Sequence, residues 1–164
     1  MKLKQFSHGF QIANPIFLIS TWFGVGLLPL APGTWGSLAA LPVAWLITTY
    51  LGQTFLLVFT ILLFFLGLWT SEIYAYRTDD MDPKSIVVDE VVGQIIVTTA
   101  IPLSVFWYLA AFILFRISDI LKPWPVSWLD KKIKGGLGIM LDDVAAAGYA
   151  WIILFVLNSY LVIS

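Results

Sequence analysis

Cysteine is absent from the sequence, and there is a single histidine, His8. The lack of cysteine excludes disulfide bonds, thiolate zinc sites and a cysteine nucleophile. One histidine near the N-terminus makes a Ser-His-Asp triad hard to build elsewhere in the chain. Any chemistry must therefore use carboxylates, hydroxyl groups, lysines, arginines or backbone groups.

Charge is also scarce. Charged residues make up 12% of the 164 residues, whereas an ordinary soluble domain has about a quarter. Hydrophobic residues reach 60%, and the mean hydropathy is +0.92. We therefore predict an integral membrane protein. Its expected partner is the lipid bilayer, and no nucleic acid is expected to bind. The composition predicts no particular oligomeric state.

The N-terminal apolar run, Ile16 to Leu30, follows two lysines but lacks a small-residue cleavage site. We therefore expect it to be retained rather than removed as a signal peptide. Residues 15–31 are broken by glycine and proline and are short for a span of about 20 residues. This pattern predicts a re-entrant or interfacial segment.

Five further apolar segments predict helices. They cover residues 38–51, 54–76, 86–100, 103–117 and 144–163. The segment 54–76 is the clearest membrane span, since it is long enough to cross with tilt. We predict an all-α, polytopic membrane protein of about five helices plus the N-terminal segment, forming one domain over residues 1–164.

Three polar islands interrupt the apolar pattern, at Pro32 to Ser37, Asp82 to Glu90 and Arg116 to Asp143. If the segments 38–51 and 54–76 form a hairpin and the next two helices form another, all three islands meet on one face. The basic residues of the loops lie on that face as well, namely Arg77, Lys84, Arg116, Lys122, Lys131, Lys132 and Lys134. By the positive-inside rule this face is cytoplasmic.

Two acidic pairs are the strongest chemical signal. Asp89 and Glu90 open a helix expected in the bilayer, where a single carboxylate costs at least about 2.5–3.5 kcal/mol. Asp142 and Asp143 repeat the arrangement at the predicted start of the last helix. Such clusters suit Mg²⁺, which takes carboxylate, water and phosphate oxygens. The alternative is a pair of helix N-termini that favour negative charge.

Other charged residues allow two interpretations each. Asp119 and Lys122 are three residues apart, so that they share a helix face as an ion pair or as part of a site. Arg116 is either a bidentate phosphate ligand or a positive-inside anchor. Glu72 is expected to be buried and neutralised by a neighbour such as Arg77.

Glycine-rich stretches lie in two of the islands. In the first, Gly33 and Gly36 allow a tight turn, and Thr34 or Ser37 can cap the following helix, whose N-terminus can also bind an anion. In the second, lysines 131, 132 and 134 adjoin Gly135, Gly136 and Gly138. This loop suits either an anion held by backbone N–H groups or contact with anionic lipid.

The chain resembles the phosphatidylglycerophosphatase A family in four blocks that occur in order. They are G-x-G-L-x-P-x-x-P-G-T-x-G-S-L at 24–38, D-x-x-S-I-V-x-D-E-x-x-G at 82–93, F-R-x-x-D-x-x-K-P-W-P at 115–125, and D-x-x-x-x-G-G-x-G-I-M-x-D-D at 130–143. The resemblance implies Mg²⁺-dependent hydrolysis of the terminal phosphate of phosphatidylglycerophosphate. The products would be phosphatidylglycerol and inorganic phosphate, released at the cytoplasmic face of the bacterial inner membrane.

The motif positions supply the predicted site. The predicted catalytic residues are Asp89, Glu90, Asp119, Asp142 and Asp143. The predicted substrate-binding residues are Gly33, Thr34, Gly36, Ser37, Arg116, Lys122, Gly135, Gly136 and Gly138. The predicted Mg²⁺ ligands are Asp82, Asp89, Glu90, Asp142 and Asp143. Asp119 or Asp142 is the expected general base for attack by water, and an aspartyl-phosphate intermediate remains an alternative.

Two other classes of protein compete with a phosphatase. A divalent-cation carrier or channel could use the same carboxylates, although coupling sites usually lie near the middle of the membrane. An alcohol phosphatidyltransferase also acts on phospholipids with Mg²⁺, but its D-G-x-x-A-R motif is absent.

Overall fold

The computed structural model describes residues 14–163, which form seven α-helices, one 3-10 turn and no strand. The helices are α1 Pro15–Ser20, α2 Pro32–Leu51, α3 Gln53–Thr78, α4 Val88–Thr98, α5 Val105–Leu121, α6 Val126–Lys132 and α7 Gly135–Ile163, with the 3-10 turn at Val25–Leu27. The all-α prediction is confirmed for these residues. Lys2, Lys4 and His8 lie outside them.

Helix α4 forms the centre of the bundle and packs against α2, α3, α5 and α7. Its side chains Val88, Val91, Val92 and Ile95 are fully buried. The helix is shorter than the predicted segment 86–100. Its 11 residues rise about 16 Å, roughly half the thickness of a bilayer hydrocarbon core. Helix α4 is thus too short to cross a bilayer. Its apolar side chains are instead buried by the surrounding helices.

Helix α2 begins at Pro32, six residues earlier than predicted. Proline suits the first helical position, since its fixed φ is already helical and its missing N–H would have no partner there. The predicted turn with a Thr34 or Ser37 cap is therefore wrong. The capping position is Ala31, which makes no side-chain cap, and the Ser37 hydroxyl donates to the Gly33 carbonyl at 3.0 Å.

Much of the predicted loop after α5 is also helical. Helix α5 continues to Leu121, α6 follows, and α7 begins at Gly135. Asp142 and Asp143 thus lie about two turns inside α7 and do not open the helix. A helix N-terminus favours negative charge only within the first turn, so it cannot explain this pair. Asp89 and Glu90 do lie in the first turn of α4, as predicted.

The N-terminal segment folds back onto the bundle without a long helix. The Val87 N–H donates to the Ser20 carbonyl at 2.9 Å, and the Phe17 and Tyr74 rings stack with centroids 6.2 Å apart. Both contacts lie at the end of the molecule where α3 ends and α4 begins.

The α2–α3 and α4–α5 turns meet at the opposite end of the bundle. The Gln53 side-chain amide donates to the Thr99 carbonyl at 2.9 Å, so the α2–α3 turn meets the end of α4. Because both hairpins turn there, the three polar islands share the first end. The convergence predicted from the order of the helices is confirmed.

The outer faces of the helices are apolar and exposed. Helices α3 and α7 each provide 26 residues that are long and apolar enough to cross a membrane. Large side chains on the bundle surface remain uncovered, with Leu62 64%, Phe106 69% and Ile152 59% exposed. Extended apolar surface of this kind is typical of contact with a membrane, and the fold therefore indicates membrane association.

Gly93 lies where α4 packs closely against α5. A Cβ at Gly93 would lie 2.6 Å from Cζ of the buried Phe115 ring, whereas a Cβ at Gly148 on α7 would meet nothing within 4 Å. We expect Gly93→Ala to lower the unfolding free energy by about 1–3 kcal/mol through overpacking.

Gly148→Ala is the matched control, since helix propensity alone should stabilise it by up to about 1 kcal/mol. Thermal unfolding of both variants in detergent measures the difference. Equal midpoints for the two variants would contradict the packing of α4 against α5.

Candidate functional site

A cavity of about 450 Å³ opens at the end of the bundle where the polar islands meet. Its walls come from the start of α2, the α3–α4 connection, the start of α4, the end of α5, and the region from α6 into α7. Among the described residues, the carboxylates that line it are Asp82, Asp89, Glu90, Asp119, Asp130, Asp142 and Asp143. The cationic side chains are Lys84, Arg116, Lys122 and Lys134.

Three of these carboxylates form a tight cluster. One oxygen each from Asp89, Glu90 and Asp143 lies within 4.8 Å of the others. Each of the three carboxylates also has a buried oxygen without a hydrogen-bond donor among the described residues. Because buried charge is costly without compensation, the arrangement suits a hard cation with oxygen ligands. Asp82 and Asp142 line the cavity but are not part of this cluster.

Arg116 lies beside the carboxylate cluster and contacts residues of α2, α4 and α5. Its Nη1 lies 2.8 Å from Asp119 Oδ2 and 4.0 Å from Glu90 Oε1, and it donates to the Ser37 hydroxyl at 3.4 Å. The guanidinium therefore lies inside the cavity, where it can contact an anion. Gly33 makes room for the Glu90 carboxylate and for the guanidinium, since a Cβ there would lie 1.8 Å from Glu90 Oε1 and 3.3 Å from Arg116 Nη1.

Lys122 joins α5 to α6 and α7. It ends α5 in a left-handed conformation with φ of 44°, and its Nζ lies 2.8 Å from Asp130 Oδ1 and 2.7 Å from Asp142 Oδ2. Burial acts to lower the pKa of Lys122, but the two carboxylates outweigh it and raise the pKa above the usual lysine value. Of the two interpretations of Asp119 and Lys122, the ion pair between them is wrong, because the turn after α5 redirects the lysine.

Two of the glycines after α6, Gly135 and Gly136, contact a carboxylate of α3. The Gly136 N–H donates to Glu72 Oε2 at 2.6 Å, and a Cβ at Gly135 would lie 2.6 Å from the same oxygen. A protein carboxylate therefore occupies this helix start. Glu72 is exposed rather than buried as expected.

The structure divides the predicted substrate-binding residues into two groups. Gly33, Arg116, Lys122, Gly135 and Gly138 line the cavity. The others, Thr34, Gly36, Ser37 and Gly136, do not line it.

Three charged lining residues were absent from the predicted site, namely Asp130, Lys84 and Lys134. Asp130 and Lys134 belong to the block 130–143, and Lys84 lies inside the block 82–93. Membership of these blocks was the signal that could have found all three residues.

Fold and site together define a membrane-associated, all-α protein with an acidic, cation-compatible cavity at one end of its bundle. The sequence model described as Phosphatidylglycerophosphatase A matches residues 18–158. The chain therefore belongs to the phosphatidylglycerophosphatase A family, as its motifs suggested.

Curated relatives agree with this assignment. Phosphatidylglycerophosphatase A of Haemophilus influenzae is 47% identical over 155 residues, covering 92% of this chain and 93% of the relative. The Escherichia coli protein of the same name is 41% identical, covering 83% and 79%. A putative phosphatidylinositol-3-phosphatase of Bacteroides thetaiotaomicron is 40% identical, covering 85% and 91%. No solved structure gives a significant match.

The geometry offers no support for the carrier or channel alternative. The acids cluster at one end of the bundle, and α7 carries no further charged residue between Asp143 and Ile163. The described part of the chain thus has no acidic path along this helix.

The two ion pairs of Lys122 should stabilise the folded protein. We expect Lys122→Met to lower the unfolding free energy by about 1–3 kcal/mol, because Asp130 and Asp142 lose a charged donor. Since the folded-state pKa is raised, this contribution is fully present below the ordinary lysine value of 10.5. It is lost only as the pH rises through the raised value.

Lys131→Met is the control, because Lys131 is exposed and lies outside the cavity. Unfolding of both variants at pH 7 and pH 9 tests the prediction. Equal stabilities, or a difference that disappears by pH 9, would contradict it.

Proposed function

We propose that the chain hydrolyses the terminal phosphate monoester of phosphatidylglycerophosphate, with Mg²⁺, to give phosphatidylglycerol and inorganic phosphate. Membership of the phosphatidylglycerophosphatase A family supports the substrate. The convergence of Asp89, Glu90 and Asp143 is the observation that carries the proposal.

The charge balance of the cavity supports the need for a cation. Seven carboxylates and four cationic side chains line it within the described chain, which leaves three carboxylates in excess. A phosphate monoester carries a charge of about −1.5 to −2 at pH 7. Such a substrate is repelled from this cavity unless bound cations reverse the balance.

The donor set fits Mg²⁺. Asp89, Glu90 and Asp143 offer hard oxygen ligands, and the open cavity leaves room for waters and phosphate oxygens. When bound, the cation supplies charge neutralisation at the phosphate and polarisation of the attacking water. Asp142 and Asp82 line the same cavity and can act as outer ligands through water.

The remaining residues position the phosphate and accept a proton. The contacts of Arg116 with Asp119 and Ser37 both use Nη1, so that its remaining N–H groups can bind phosphate oxygens. We assign proton acceptance to Asp119. Both oxygens of Asp142 are engaged, one by Lys122 and one by the Asp143 N–H, whereas Arg116 takes only Oδ2 of Asp119.

We further propose a multi-pass protein of the bacterial inner membrane whose cavity opens on the cytoplasmic face. The apolar surfaces of α3 and α7 support insertion. The lysines and arginines at the cavity end support the orientation through the positive-inside rule.

Purified protein in detergent tests this function. We expect phosphate release from phosphatidylglycerophosphate to require Mg²⁺ and to stop on chelation. Asp89→Asn and Asp143→Asn should each lower kcat at least about a hundredfold, which corresponds to losing several kcal/mol of charge stabilisation.

Asp79→Asn is the matched control, because Asp79 is exposed near the same end and does not line the cavity. Its kcat should stay within about twofold of the unchanged protein, and unfolding curves should show that all three variants fold. Full activity in the Asp89 and Asp143 variants would overturn the metal assignment.

A further inference from the structure

The four cations of the cavity differ in what they contact. Arg116 and Lys122 pair with carboxylates. Lys84 and Lys134 have no carboxylate within ion-pair distance among the described residues. The Lys134 ammonium donates to the Asp130 carbonyl at 2.7 Å, and no contact of the Lys84 ammonium is found within the described chain.

This difference is unexpected in a cavity with excess negative charge. Both lysines are exposed, and both line the cavity that holds the carboxylate cluster. They come from separate walls, Lys84 from the α3–α4 connection and Lys134 from the α6–α7 connection. Two ammonium groups are thus available to an anion at the rim of the cavity, in addition to the site at the cluster.

We propose that Lys84 and Lys134 form a second anion subsite, which binds the phosphodiester of the lipid headgroup while the terminal phosphate lies at the Asp89, Glu90 and Asp143 cluster. This inference rests on the proposed function. A phosphodiester carries one negative charge, which lysine can bind as a point charge without a metal. The subsite would favour a lipid with two phosphates over an anion with one.

Anionic lipids of the surrounding bilayer also carry phosphodiester groups, which are the other candidate anions for Lys84 and Lys134. Lys131 and Lys132 provide the comparison, because both are exposed at the end of α6 and neither lines the cavity. A contribution from bulk lipid would involve these lysines too and would disappear in neutral detergent. A headgroup subsite would depend on Lys84 and Lys134 alone and would persist there.

The test compares two double variants in neutral detergent micelles, Lys84→Gln with Lys134→Gln and Lys131→Gln with Lys132→Gln. Two quantities are measured, the KM for phosphatidylglycerophosphate and the inhibition constant of inorganic phosphate, which has no diester. We expect the first variant to raise KM at least about tenfold, since losing even one of its two charged hydrogen bonds has about that effect, with the inhibition constant unchanged. The second variant should change neither quantity.

A parallel rise in both quantities would overturn the inference, because the lysines would then serve the terminal phosphate. An unchanged KM, or an effect seen only in anionic vesicles, would overturn it as well. The single Lys84→Gln variant removes no internal contact and should show part of the same effect if the double variant folds poorly. Failure of the unchanged protein to hydrolyse the lipid would instead contradict the proposed function.

Discussion

Mutual repulsion among Asp89, Glu90 and Asp143 is the interaction on which the rest of the site depends. Packing of α4 against α7 brings their oxygens together, although like charges in a partly buried site oppose this. Arg116 offsets part of this repulsion, since its Nη1 lies 4.0 Å from Glu90 Oε1. The remaining negative charge is what a divalent cation can compensate, so the structure and the proposed chemistry rest on the same three side chains.

Close approach of the helices is what brings these carboxylates together. Gly33 admits the Glu90 carboxylate, and Gly93 admits the Phe115 ring beside the Asp143 backbone. Glu72 binds the first turn of α7 at Gly136, which fixes the helix that carries two of the cavity acids. Gly33 and Gly136, which the sequence placed in a turn and a loop, are therefore contact points between helices.

Hydropathy and the order of the helices were enough to predict an all-α bundle with its polar islands at one end, because these properties depend on chain periodicity and hairpin connections. The start of α2 at Pro32 and the helical stretch from Val126 were not predictable in this way, since tertiary packing extends helices through glycine-rich and charged segments. The partners of Lys122 were missed because a left-handed residue at the end of α5 redirects its side chain. Arg116 and Lys122 each lie three residues from Asp119, so local spacing alone could not show which of the two pairs with it.

The most direct measurement is the position of a divalent cation in crystals of the protein soaked with Mn²⁺, located by anomalous diffraction. We expect a peak coordinated by carboxylate oxygens of Asp89, Glu90 and Asp143 and facing Arg116 across the cavity. A cavity that stays empty of Mn²⁺ while the ion binds elsewhere, or a peak held by none of these three acids, would contradict it.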